Sequence, residues 1–176
     1  MMPLEGTQLF EYLHCMEKSA QFNLPARTWS KVETDKYLYA ALTEKIIGCA
    51  IAVHRELGPG FLESVYDEAI AIELGRQHVP YQRQVPVGIN YHGASVGKHR
   101  IDLIVDEKVV VELKAVKEID EVHLATCISY LNATKLRVGV ILNFSREKTR
   151  VRRVIRSAEF TAEAQRGRDH EEEFFG

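Results

Sequence analysis

Apolar residues recur at helical spacing at Ile46, Ile47, Ala50, Ile51 and Leu57, and Thr43-Glu44 stands ahead of them as a capping pair. Gly58-Pro59-Gly60 then stops that helix. A second helix is predicted over 62–77, with Val65, Ala69, Ile72 and Leu74 near one face and Gly75 weakening its end. The period changes to two at Val85, Val87 and Ile89, and Gly93 and Gly97 mark a turn region before a strand over 100–105. Asp106-Glu107 reads as a tight turn that pairs this strand antiparallel with Val109–Lys114, both segments being rich in β-branched residues. Val122, Ala125, Ile128 and Leu131 predict a helix over 120–133, capped by Asp120. That helix serves as a crossover to a central strand over 136–144, and 151–155 adds an edge strand.

Both ends fall outside this patterning. The first forty or so residues are mixed in character, and Pro25 ends any helix running through 9–16. Beyond Arg156 apolar periodicity is lost, and Asp169-His170-Glu171-Glu172-Glu173 near the end cannot bury much surface. The expected organisation is an N-terminal extension (1–41), one domain (42–156) and a polar tail (157–176), disordered or weakly helical, with no internal repeat.

A chain of 176 residues with 45% hydrophobic and 27% charged residues has the composition of an ordinary soluble domain. Lys plus Arg number 23 against 25 for Asp plus Glu, so general attraction to phosphate backbones is not built into the whole chain. The charge is uneven, however. Lys135, Arg137, Arg146, Lys148, Arg150, Arg152, Arg153 and Arg156 are opposed only by Glu147, which allows a local basic face. Cys15, Cys49 and Cys127 form no CxxC pair, and the start lacks a basic-then-apolar leader. These features point to a reducing, cytoplasmic setting without membrane contact.

Asp102, Glu112 and Lys114 carry the candidate chemistry. Glu112 and Lys114 are two apart on one strand and share a face, while Val111 and Leu113 point to the other. If the hairpin pairs about Asp106-Glu107, Asp102 reaches the same place. Converging carboxylates repel unless a cation neutralises them, and hard oxygen donors suit Mg²⁺ or Mn²⁺. Lys114 would then hold or deprotonate an attacking water and offset charge at phosphorus. Spacing alone is weak and is met as well by ordinary cross-strand or solvent-facing ion pairs on a half-exposed sheet.

Gly60-Phe61-Leu62-Glu63-Ser64-Val65-Tyr66 fits the signature GxxExxY, and Arg100-Ile101-Asp102-Leu103 and Val111-Glu112-Leu113-Lys114 follow in order. Together these resemble the GxxExxY proteins within the PD-(D/E)XK nuclease superfamily, from about residue 42 to 155. The resemblance implies a restriction-endonuclease-like α/β fold with a mixed central sheet flanked by helices. It implies Asp102, Glu112 and Glu63 as ligands of Mg²⁺ or Mn²⁺, and Lys114 as the catalytic lysine. Glu63 alone could equally be a first-turn acid favoured by the helix dipole. Tyr66, one turn on, either supports the Glu63 carboxylate or packs between helix and sheet.

The family's HEAQ-like stretch reads His123-Leu124-Ala125-Thr126 here, so Leu124 replaces the usual acid and Thr126 the usual Gln. A threonine hydroxyl has a shorter reach than an amide. Arg100, Tyr66, His123 and Thr126 are the candidates to touch substrate.

Two functions follow. One is a metal-dependent nuclease acting on DNA or RNA; the other is a catalytically silent member of the fold that binds nucleic acid or a protein. A purely structural subunit has no interface signature, and no GxGxxG or GxxxxGK[ST] loop suggests a dehydrogenase or NTPase. So short a domain has little room for base-reading elements, so any specificity would come from a homodimer or a partner protein.

Overall fold

The computed structural model describes residues 37–145 and 148–156. The expected extension, its helix over 9–16, Cys15, Arg146 and the polar tail lie outside them. In chain order come α1 (Ala40–Leu57), α2 (Glu63–Arg76), β1 (Tyr81–Tyr91), β2 (Ala94–Val105), β3 (Val109–Lys114), α3 (Glu121–Thr134), β4 (Val138–Phe144) and β5 (Thr149–Ile155). The strands form one mixed sheet in the order β1-β2-β3-β4-β5. Only β3 and β4 run parallel, joined by α3 as the crossover that a parallel connection requires.

Strand alternation divides the core in two. Val109, Val111 and Leu113 of β3 and Val138, Val140, Leu142 and Phe144 of β4 pack with Ile46, Ala50 and Val53 of α1 and Tyr66, Ile70 and Leu74 of α2. Val110 and Ile141 face the other way, onto Cys127, Tyr130 and Leu131 of α3. Three layers result, with β3 in the middle of the sheet and buried on both faces. Gly139 lets α3 approach β4: a Cβ there would lie 2.5 Å from Cys127 Sγ, so a larger residue requires Cys127 to shift.

Several expectations move. The first helix begins at Ala40 and not at Thr43; Thr43 is buried in its first turn, and its hydroxyl donates back to the carbonyls of Tyr39 (3.1 Å) and Ala40 (2.9 Å). Gly97 is not a turn residue but lies in β2 opposite Ile89, where the register slips. The turn of the β1–β2 hairpin is instead His92-Gly93, both at positive φ. The central strand starts at Val138, because Lys135 ends α3 in the left-handed conformation. The Asp106-Glu107 turn forms as read, with both residues at positive φ and Lys108 N–H donating to the Val105 carbonyl at 3.0 Å.

Candidate active site

β2 turns over at Asp102. Ile101 packs on the α3 side, yet Leu103, two residues on, packs on the α1–α2 side; strict alternation would put both on one face. Across the ladder, pairing passes from Arg83↔Leu103 to Val85↔Ile101, and the residue skipped, Gln84, has φ 50°. Pairing of β2 with β3 covers Val109 to Val111 opposite Val105 to Leu103 and stops there. The Leu113 N–H is taken instead by the Asp102 carboxylate, Oδ2 accepting at 2.8 Å. A side chain thus replaces a ladder carbonyl, which anchors Asp102 beside the end of β3.

Glu112 and Lys114 leave the same face of β3, with Lys114 Nζ 2.6 Å from Glu112 Oε1. Glu63, in the first turn of α2, brings Oε1 to 3.7 Å from the same ammonium. The structure therefore gathers Glu63, Asp102, Glu112 and Lys114 at one place. Glu112 is 4% exposed, and its Oε2 is buried with no hydrogen-bond partner among the described residues. An unsatisfied buried carboxylate oxygen is costly to a fold unless something else completes it.

The electrostatics follow from this crowding. Burial pushes the Glu112 carboxyl up to about 7, and the Asp102 charge adds to it against the pull of Lys114. Asp102 is raised by burial too, opposed by the Leu113 N–H and by Lys114. Glu63 is raised, again by burial first. Burial alone would lower Lys114, but Glu112, Glu63 and Asp102 outweigh it and hold the ammonium above its ordinary range.

The donor set fits a hard divalent ion: two adjoining carboxylates that disfavour each other's charge, one of them with an orphaned oxygen. Among the described residues no three His, Cys, Asp or Glu side chains are gathered tightly enough to enclose an ion by themselves. Asp102 and Glu112 are the pair that could hold one, and Glu63, which is 44% exposed, stands 3.7 Å from the Lys114 ammonium.

The other candidates are placed differently. Tyr66 is fully buried, stacked on Phe144 at 4.2 Å, and its hydroxyl donates to the Gly58 carbonyl at 2.8 Å. It therefore packs and holds the turn before α2, and its hydroxyl is turned to Gly58 and not to the Glu63 carboxylate. His123 forms a capping box with Asp120: its Nδ1 lies 3.1 Å from Asp120 N and 2.6 Å from Asp120 Oδ1, leaving Nε2 unengaged by this pair. Its charge would register at Glu63. Thr126 donates to the Val122 carbonyl one turn back, at 2.9 Å. Arg100 is exposed on β2, two residues before Asp102.

Three neighbours escaped sequence reading. Asp67, one turn after Glu63, is buried; its Oδ2 accepts from Arg83 at 2.8 Å and from Gln84 at 3.3 Å, its Oδ1 has no partner among the described residues, and its charge acts on Asp102. Tyr130 faces the same carboxylates, which help burial to raise its phenol. The spacing of Glu63 and Asp67, four apart on a helix, was the available signal for Asp67. Asn143, fully buried and opposite Lys114 on β4, holds the loop after β3 through Val116.

Among the described residues no helix is long and apolar enough to cross a membrane. No curated protein matches the sequence. Among solved structures, one described as the crystal structure of SSO0001 is 16% identical over an alignment that covers 90% of this chain and 81% of that one, with a TM-score of 0.44. The family model of the PD-(D/E)XK nuclease superfamily matches residues 40–154, which span every element above from α1 to β5. With a mixed five-stranded sheet flanked by helices and an acid–acid–lysine cluster at the end of its central strand, the chain belongs to the PD-(D/E)XK nuclease superfamily.

Proposed function

We propose that the domain over 42–156 is a metal-dependent nuclease of the GxxExxY group that hydrolyses phosphodiester bonds of DNA or RNA. The observation that carries this reading is the meeting of Asp102, Glu112 and Lys114 at the end of β3, with a buried carboxylate oxygen left over. Asp102 and Glu112 would hold Mg²⁺ or Mn²⁺, and Glu63 would support it through water. When bound, such an ion supplies charge to a phosphoryl oxygen and acidifies water. Lys114, held by Glu112 and Glu63, positions the attacking water in line with phosphorus and offsets the charge that develops there. Leu113 N–H keeps Asp102 from turning away as the site fills. The buried free thiols of Cys49 and Cys127, with Cys127 pushed up to about 12 by its burial, support a reducing cytoplasmic setting.

The second reading, a silent binding member of the fold, is favoured by Thr126, whose hydroxyl is committed to its own helix and leaves no amide where relatives of this kind carry one. Asp102→Ala and Lys114→Ala separate the two. Each should abolish cleavage while circular dichroism stays that of the folded chain; cleavage surviving both changes would sink the nuclease reading.

A further inference from the structure

A cleft of about 650 Å³ lies against the loop that follows Lys114, from Ala115 to Glu118, and is unused by the chemistry above. Gly60 and Phe61 line it from the turn before α2, Val116 and Lys117 from the loop after β3, and Phe144 and Arg150 from β4 and β5. Its walls are stiff. Asn143 accepts from Val116 N–H at 3.0 Å and donates to the Val116 carbonyl at 2.9 Å, pinning that loop to β4. Phe61 stands edge-on to Tyr66 with ring centres 6.2 Å apart, and its own N–H donates to the Tyr66 hydroxyl at 3.4 Å.

The chemistry on offer is specific. Phe61 is 46% exposed although its backbone is held, so a rigid aromatic face meets solvent. Lys117 and Arg150 are exposed and carry no carboxylate partner among the described residues, while Glu118 is the single acid in the lining. A fixed aromatic beside unpaired cations is how proteins hold unpaired nucleic-acid strands, bases stacking on the ring and phosphates meeting the cations. In a duplex the base faces are already stacked on each other and cannot lie on Phe61.

We propose that this cleft holds an unpaired nucleotide adjoining the scissile phosphate, so that the substrate is a single strand or a strand with unpaired bases. This inference rests on the nuclease reading for its position and deepens it by naming the substrate class. The test is binding in chelator, where nothing is cut, of fluorescent DNA and RNA oligonucleotides, single-stranded and as duplexes of the same sequence. The intact chain should prefer the single strands. Phe61→Ala should weaken them about 5- to 100-fold, with duplex binding unchanged, and Phe61→Trp should restore the affinity. Lys117→Ala and Arg150→Ala should each lower the single-strand salt slope by about 0.7. Equal affinity for single strand and duplex, or single-strand affinity indifferent to Phe61→Ala, overturns the proposal. Cleavage assayed separately with metal keeps the two readings apart. Cutting with Phe61-indifferent binding overturns the cleft alone, and Phe61-dependent binding without cutting supports the cleft while overturning the nuclease.

Discussion

The two faces of β3 share one backbone and differ in almost everything else. On one, Val109, Val111 and Leu113 meet α1 and α2 in a continuous apolar layer; on the other, Val110 is followed by Glu112 and Lys114, beside Asp102 and under α3. The first face buries apolar area at roughly 25 cal/mol per Å² and holds the strand in place. The second carries buried charge that the fold by itself leaves partly unsatisfied. Side by side, they show stability supplied by the odd-numbered positions and tolerated strain concentrated at the even-numbered ones, which is the arrangement expected of a site built on a rigid element.

Neighbouring substitutions should pull the faces apart. Glu112→Gln keeps the volume but removes the charge, and should lower the cleavage rate about 10³-fold, with a melting temperature at pH 8 no lower than that of the unaltered chain. Leu113→Ala, one residue on, should cost about 2–5 kcal/mol by chemical denaturation while the rate per folded molecule stays near normal. A reversal of these two outcomes would break the comparison. On the α3 side, Gly139→Ala should cost about 1–3 kcal/mol because of Cys127 Sγ, and Cys127→Ala in the same chain should recover most of it.

The strained face should also show in pH dependence. Glu112, Asp102 and Glu63 all have carboxyls raised in the folded state, so the folded chain binds more protons than the unfolded one between their ordinary range and the Glu112 value of about 7. In chelator, their contribution to stability is therefore full below the ordinary carboxylate range and is lost as pH rises through about 7. Melting temperature at pH 5 should exceed that at pH 8 by about 5 °C, and Glu112→Gln should shrink the gap. Mn²⁺ should raise the pH 8 value more than the pH 5 value, since it competes with the protons. Asp120→Ala, which removes the cap of α3, should cost about 1 kcal/mol and leave this pH dependence alone.

Element types, strand directions and the Asp106-Glu107 turn were legible because apolar period and turn chemistry are local. So was the Glu112–Lys114 pair, since two residues apart on a strand share a face whatever the tertiary context. The reversal of β2 at Asp102 was not, because it depends on Gln84 of another strand adopting positive φ, which no local signal at Gln84 announces. Tyr66 was half legible: packing between helix and sheet is one of the two roles its spacing allows, while the partner that fixes the ring, Phe144, comes from β4 and only the fold brings it there. Asp67 and Arg83 meet for the same reason, across a helix–strand packing that only the fold creates.

The most direct test of the central claim is incubation of the full chain with single-stranded and duplex DNA and RNA, with Mg²⁺, with Mn²⁺ and with chelator, beside Glu112→Ala. The account predicts cutting with metal, none with chelator and none by the variant. Cutting that persists in chelator or in Glu112→Ala, or no cutting of any substrate under any condition, would contradict it.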